Sequence, residues 1–148
     1  MMRHPIHPAI VHFPVACWSM AVAADFAGLQ FGWTAWQWST GLLIVGCAMG
    51  LVAMLAGLVE FARLEDGPVM TTAYWHMGLM LAAFSLFALR LIIGFSGFSP
   101  QPPDGLALAL SGVGLLTLLA GGYLGGRLVY HHSVGTAPQA ERSPFLME

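Results

Sequence analysis

Four apolar runs, each long enough to cross a bilayer, occupy most of this 148-residue chain, at roughly residues 8–29, 35–61, 72–97 and 106–130. A membrane-spanning helix needs about 20 predominantly apolar residues. Charged residues make up only 8 % of the chain, against about 25 % in a soluble domain. Lipid, not water, is therefore the expected solvent for most of the surface.

The joins, at 30–34, 62–71 and 98–105, are short, and Gly67-Pro68 and Pro100-Gln101-Pro102-Pro103 are clear breakers. Short connections place consecutive helices side by side and antiparallel. The expected fold is all-α: a polytopic membrane protein whose residues 1–132 form one up-down-up-down bundle of four transmembrane helices, followed by a loose polar tail at 133–148. No internal repeat stands out. The first run lacks a clear small-residue cleavage site and reads as a retained span.

Arginine placement gives an orientation, since no lysine occurs. Arg3, Arg63, Arg127 and Arg142 share one side of a four-span topology, and Arg90 lies inside the third run. The positive-inside rule then puts both termini in the cytoplasm. Trp33, Trp36 and Trp38 form an aromatic belt at the opposite interface. A net charge of −2 with scattered arginines speaks against a nucleic-acid partner. Cys17 and Cys47 lie near mid-span and read as unpaired small core residues.

The histidines are His4, His7, His12, His76, His131 and His132, all at helix ends that antiparallel spans bring to one side. Glu60 closes the second run at the same level. Ionisable groups inside spans are costly, face the bundle interior and mark functional sites by default. At about 100° per residue, Ser19 lies one heptad below His12, Gly46 and Ala53 below Glu60, Ala83 and Arg90 below His76, and Gly114, Gly121 and Gly125 below His132. Small residues beneath polar ends allow close helix contact or leave room for a flat ligand. Plainer accounts exist for each part. Glycine stripes pack membrane helices, Glu60 and Arg63 form an i,i+3 pair, Arg90 snorkels or meets Asp25, and His4 and His131 are interfacial. The convergence of His12, Glu60, His76 and His132 from four helices favours a ligand site.

The opening His4-Pro5-Ile6-His7-Pro8-Ala9-Ile10-Val11-His12-Phe13-Pro14 resembles that of the bacterial membrane proteins grouped as domain of unknown function 2231. Gly57-Leu58-Val59-Glu60-Phe61 and Gly125-Gly126-Arg127-Leu128-Val129-Tyr130-His131-His132 are similar to that family's second-span and fourth-span endings. Asp is the more usual acid where this chain has Glu60, and Gly normally follows the second His where it has Ser133. The resemblance covers nearly the whole chain. It implies a four-helix multi-pass protein of the bacterial cytoplasmic (inner) membrane, with no settled activity. Relatives joined to Rieske-type iron–sulfur domains imply electron-transfer company.

Three functions compete for these residues. A small b-type cytochrome would hold haem b through His12 and His76, diagonal in a simple bundle, with His7 or His132 as a substitute ligand or propionate partner. It would move electrons between a quinol and a partner protein. A bare Zn, Fe or Cu would use His12, Glu60, His76 and His132. A cofactor-free bundle would serve as a membrane subunit or a proton-linked transporter through the same groups. Haem binding is the reading adopted. The Gly-rich fourth run offers a surface for a homo-oligomer, and no nucleophile–base pair points to hydrolysis. Pro14 leaves two settings for His12: a kink around 10–12 in a helix that starts near Pro8, or a first-turn proline with His12 as a cap.

Overall fold

The computed structural model describes residues 6–96 and 99–134. They form the helices α1 (Ile6–Ile10), α2 (His12–Phe31), α3 (Trp33–Phe61), α4 (Pro68–Ile93) and α5 (Gly105–Tyr130). A two-residue antiparallel ladder, β1 (Phe95–Ser96) with β2 (Ser99–Pro100), lies between α4 and α5. Four helical stretches, His7–Phe31, Trp33–Phe61, Pro68–Ile93 and Gly105–Tyr130, are long and apolar enough to cross a membrane. Large apolar side chains such as Leu51, Leu55, Val59, Leu116 and Leu119 stand on their outward faces, a surface suited to lipid and untenable in water at this extent. The protein is an all-α, multi-pass membrane protein. His4, Arg3, Arg142 and the tail at 135–148 lie outside the described residues.

Local chemistry sets the helix ends. The join expected at 30–34 shrinks to Gly32, whose φ of +66° lies in the left-handed region that glycine enters freely. Pro68 occupies the first turn of α4, where its missing N–H is not needed. Asp104 caps α5, its Oδ1 accepting from the Ala107 N–H at 2.8 Å. The third span ends at Ile93, short of 97, because the chain turns into the ladder. Pro14 interrupts the helix near 10–12, as one expected setting had it, and lies in the first turn of α2, as the other had it. The cap, however, is Val11 and not His12, which is the first residue of α2. Pro14 lacks an N–H for the Ile10 carbonyl, which breaks the span at Val11. Bonds from Val11 N–H to His7 O and from Val15 N–H to Val11 O carry the chain across that break.

The helices make two antiparallel hairpins, α2–α3 and α4–α5, each packed closely within itself and more sparingly against the other. At the centre Trp18 of α2 stacks on Phe87 of α4, ring centroids 5.0 Å and planes 15° apart. Each ring lies on glycine of its own hairpin. A Cβ added at Gly46 or Gly50 would come within 2.6 or 2.8 Å of Trp18, and one at Gly114 within 3.0 Å of Phe87. Lipid tails are as apolar as leucine, so close approach of this kind, not burial from water, holds membrane helices together. Trp36 likewise turns onto Gly28 and out of the expected belt, while Trp33 and Trp38 stay exposed.

The two hairpins repeat one another, contrary to expectation. Trp18 and Phe87 are 69 positions apart, as are His7 and His76, and the buried pairs Pro14 and Ala83, and Ala21 and Arg90. In the second helix of each hairpin Gly46 and Gly114 are 68 positions apart, as are Leu43 and Ser111, Ala53 and Gly121, and Gly57 and Gly125. The buried positions coincide while most residue types differ, which is why the chain does not read as a repeat.

Candidate functional site

His7 and His76, at equivalent positions of the two hairpins, are held in the same way. His7 Nδ1 lies 2.8 Å from the carbonyl oxygen of Ala53 on α3, and His76 Nδ1 lies 2.8 Å from that of Gly121 on α5. A carbonyl only accepts, so Nδ1 is the donor in both rings. In the neutral imidazole Nε2 then carries a lone pair, and among the described residues neither Nε2 has a hydrogen-bond partner. Glycine makes room for each ring. A Cβ at Gly57 would come within 3.0 Å of His7 Cε1, and one at Gly125 within 3.0 Å of His76 Cε1. A donor bond from one ring nitrogen to a carbonyl is the usual way a histidine is oriented for ligation through the other.

The other candidates do not join this pair. His12 is exposed on the outer face of α2. The buried stripe of α2 is Pro14, Trp18, Ala21, Val22, Asp25 and Gly28, and one heptad back from Pro14 is His7, not His12. The span expected at 8–29 begins just after His7, so its helix phase was tested on His12 and not on His7. Glu60 Oε1 accepts from the His7 backbone N–H at 3.1 Å, and no Glu60–Arg63 ion pair forms. His132, just beyond α5, lies 3.4 Å from Thr72 Oγ1 and lines a shallow cleft with Arg63, Glu65 and Asp66. His131 is exposed and meets His132 edge-on. Among the described residues no three His, Cys, Asp or Glu side chains are grouped to hold a metal ion, so the set His12, Glu60, His76 and His132 does not assemble. Cys17 and Cys47 are both unpaired.

A second polar cluster lies toward the opposite end of the bundle. Asp25 of α2 is fully buried. Its Oδ1 accepts from Ser39 Oγ of α3 at 2.6 Å and Arg90 Nη2 of α4 at 2.7 Å. Its Oδ2 accepts from Ser111 Oγ of α5 at 2.6 Å and Arg90 Nε at 3.0 Å. One residue from each long helix thus meets at a single carboxylate. Arg90 is only 2 % exposed, so it does not snorkel, and a Cβ at Gly94 would overlap its guanidinium. The meeting of Asp25 and Arg90 was one of the plainer sequence accounts. Ser39 and Ser111 were missed, although each lies on the buried stripe of its helix.

No curated protein and no solved structure matches this chain. A family model described as predicted membrane protein (DUF2231) matches residues 3–138, a stretch that takes in every helix and both polar clusters. The chain therefore belongs to the DUF2231 family of predicted membrane proteins.

Proposed function

We propose that the protein binds haem b between its two hairpins, with His7 and His76 as the axial pair, and passes electrons between a membrane quinol and a partner protein. One observation supports this reading: the matched imidazoles, each with Nδ1 donating to a main-chain carbonyl and Nε2 without a hydrogen-bond partner among the described residues. Axial imidazole is a common ligand of haem iron, and an anchored second nitrogen fixes its tautomer and angle. The donor set is of the right kind: two imidazole nitrogens, one from each hairpin, on rings seated against Gly57 and Gly125.

Haem, when bound, supplies a one-electron couple. The chain's own residues orient and shield. The Ala53 and Gly121 carbonyls hold each ring, and the apolar outer faces of the helices keep water from the interior. Arg63 and Arg127 stand at the imidazole end, whereas Arg90 is engaged by Asp25. The positive-inside rule then places the imidazole end on the cytoplasmic side of a bacterial inner membrane.

Protein purified in detergent from cells supplied with iron and haem precursor is expected to give sharp α and Soret bands in a reduced-minus-oxidised spectrum. Absence of those bands from intact, haem-replete protein overturns the reading. His7→Ala and His76→Ala each remove the six-coordinate signature, and His12→Ala leaves it in place.

A further inference from the structure

The two imidazoles have matching ring contacts but different backbones. His76 sits two turns inside the continuous helix α4. His7 sits in α1, five residues at the open N-terminal end of the first span, joined to α2 through Val11, where Pro14 leaves one rung of the helical ladder unmade. The first N–H groups of a helix have no carbonyl one turn earlier to accept them, and the His7 N–H is one of these. Glu60 supplies the missing acceptor from the end of α3, Oε1 lying 3.1 Å away. Ala53, one and a half to two turns earlier on the same helix, holds the ring. Both fastenings of His7 therefore come from α3, one to its main chain and one to its side chain. The position equivalent to Glu60 in the second hairpin is Leu128, a buried apolar residue. Only one of the two imidazoles is secured by a carboxylate.

We infer that Glu60 is a positioning residue that latches α1 onto α3, and that this makes His7 the exchangeable axial ligand and His76 the fixed one. The axial part rests on the haem reading, whereas the latch is a property of the chain alone. A hydrogen bond to a charged acceptor shifts a local opening equilibrium by roughly 10- to 100-fold, so its loss frees α1 without unfolding the bundle. Departure of His7 opens one coordination position to a small neutral diatomic such as carbon monoxide.

Amide hydrogen exchange of the full chain in detergent, with no haem added, tests the latch. Glu60→Ala speeds exchange over residues 7–12 by roughly tenfold or more and leaves residues 72–80 of α4 unchanged. Glu60→Gln keeps an accepting oxygen without the charge, so its exchange lies between those of the wild type and Glu60→Ala. Equal exchange over 7–12 in Glu60→Ala and the wild type overturns the latch, whether or not haem binds. On haem-loaded, reduced protein, carbon monoxide binds Glu60→Ala faster than the wild type, and Glu60→Gln at a rate between the two. Identical binding in all three refutes His7 as the exchangeable ligand. A wild type with no haem bands removes the axial assignment together with the proposed function, and the exchange experiment still judges the latch.

Discussion

At one end of the bundle Asp25 accepts from Arg90, Ser39 and Ser111, and each of its oxygens carries two donors. At the other end His7 and His76 each commit one ring nitrogen to a carbonyl, and the second has no hydrogen-bond partner among the described residues. An unsatisfied polar group in hydrocarbon costs several kcal/mol. The completed Asp25 set avoids that cost, whereas the imidazoles keep Nε2 available to the ligand proposed above. The buried polar side-chain atoms that lack a partner among the described residues are Trp18 Nε1 and Trp36 Nε1. The repeat separates the two ends in another way. The histidines fall on equivalent positions of the two hairpins. The counterparts of Asp25, Ser39, Arg90 and Ser111 are Gly94, Ala107, Ala21 and Leu43. The closed cluster is built once, across all four long helices, and seats one hairpin against the other. The open pair uses that seating.

The sharpest way to break this contrast is at Asp25. Removing one partner of a buried pair strands the other charge and costs about 3–5 kcal/mol. Asp25→Ala is therefore expected to cost most or all of the stability, read as loss of the cooperative thermal transition in detergent. Arg90→Ala should cost a similar amount, and the double variant less than the two together, because the residues share one interaction. Single variants that melt within about 0.5 kcal/mol of the wild type would show that the cluster does not seat the hairpins. Next come Ser39→Ala and Ser111→Ala. Each removes one donor to a charged acceptor, worth about 1.5–3 kcal/mol, while three bonds to Asp25 remain. Haem content, measured on the fraction that stays folded, should be near normal in both.

The larger cluster was also the more legible one. Asp25 and Arg90 are ionisable residues placed inside the first and third apolar runs, toward the same end, so charge alone nominated the pair. Ser39 and Ser111 carry no such flag, since serine in a span often bonds its own helix, as Ser85 does to the Leu81 carbonyl at 2.9 Å. At the other end, helix phase was enough for His76, because α4 is unbroken from Pro68 and its stripe of Ala83 and Arg90 is buried as expected. The same reasoning chose His12 over His7, with Ser19 one heptad below it. The anchors themselves are main-chain carbonyls of Ala53 and Gly121, which no residue type announces. The repeat stayed hidden because only positions, and few identities, recur.

His76→Ala sharpens the contrast from the functional side. It removes one hydrogen bond, worth about 0.5–1.5 kcal/mol, so the melting transition should shift only modestly. The six-coordinate haem spectrum should nevertheless be lost completely. Asp25→Ala and His76→Ala thus exchange rank between the two readouts. A large loss of stability in His76→Ala, comparable to that in Asp25→Ala, would make the imidazole a structural residue and the two ends alike.

The smallest change to the fold is expected at the glycines beneath the rings, and it bears on why the imidazoles stand where they do. Replacing a helical glycine by alanine gains about 0.8–1 kcal/mol in helix propensity. At Gly122 an added Cβ meets nothing within 4 Å, so Gly122→Ala should keep that gain and leave haem binding untouched. At Gly125 the same Cβ would come within 3.0 Å of His76 Cε1 and 3.3 Å of Nδ1. The ring must give by a few tenths of an ångström, which strains the 2.8 Å bond to Gly121 and offsets the propensity gain. Stability should then stay within a few tenths of a kcal/mol of the wild type, while haem affinity falls by up to about tenfold. Gly57→Ala crowds His7 to the same 3.0 Å, yet its effect should be the smaller of the two. His7 rides on α1, which can shift at Val11 and absorb the crowding, whereas His76 is fixed by unbroken helix on both sides. Equal losses at Gly57 and Gly125 would mean that α1 is as rigid as α4, and the two imidazoles would then be equivalent in mechanics as well as in position.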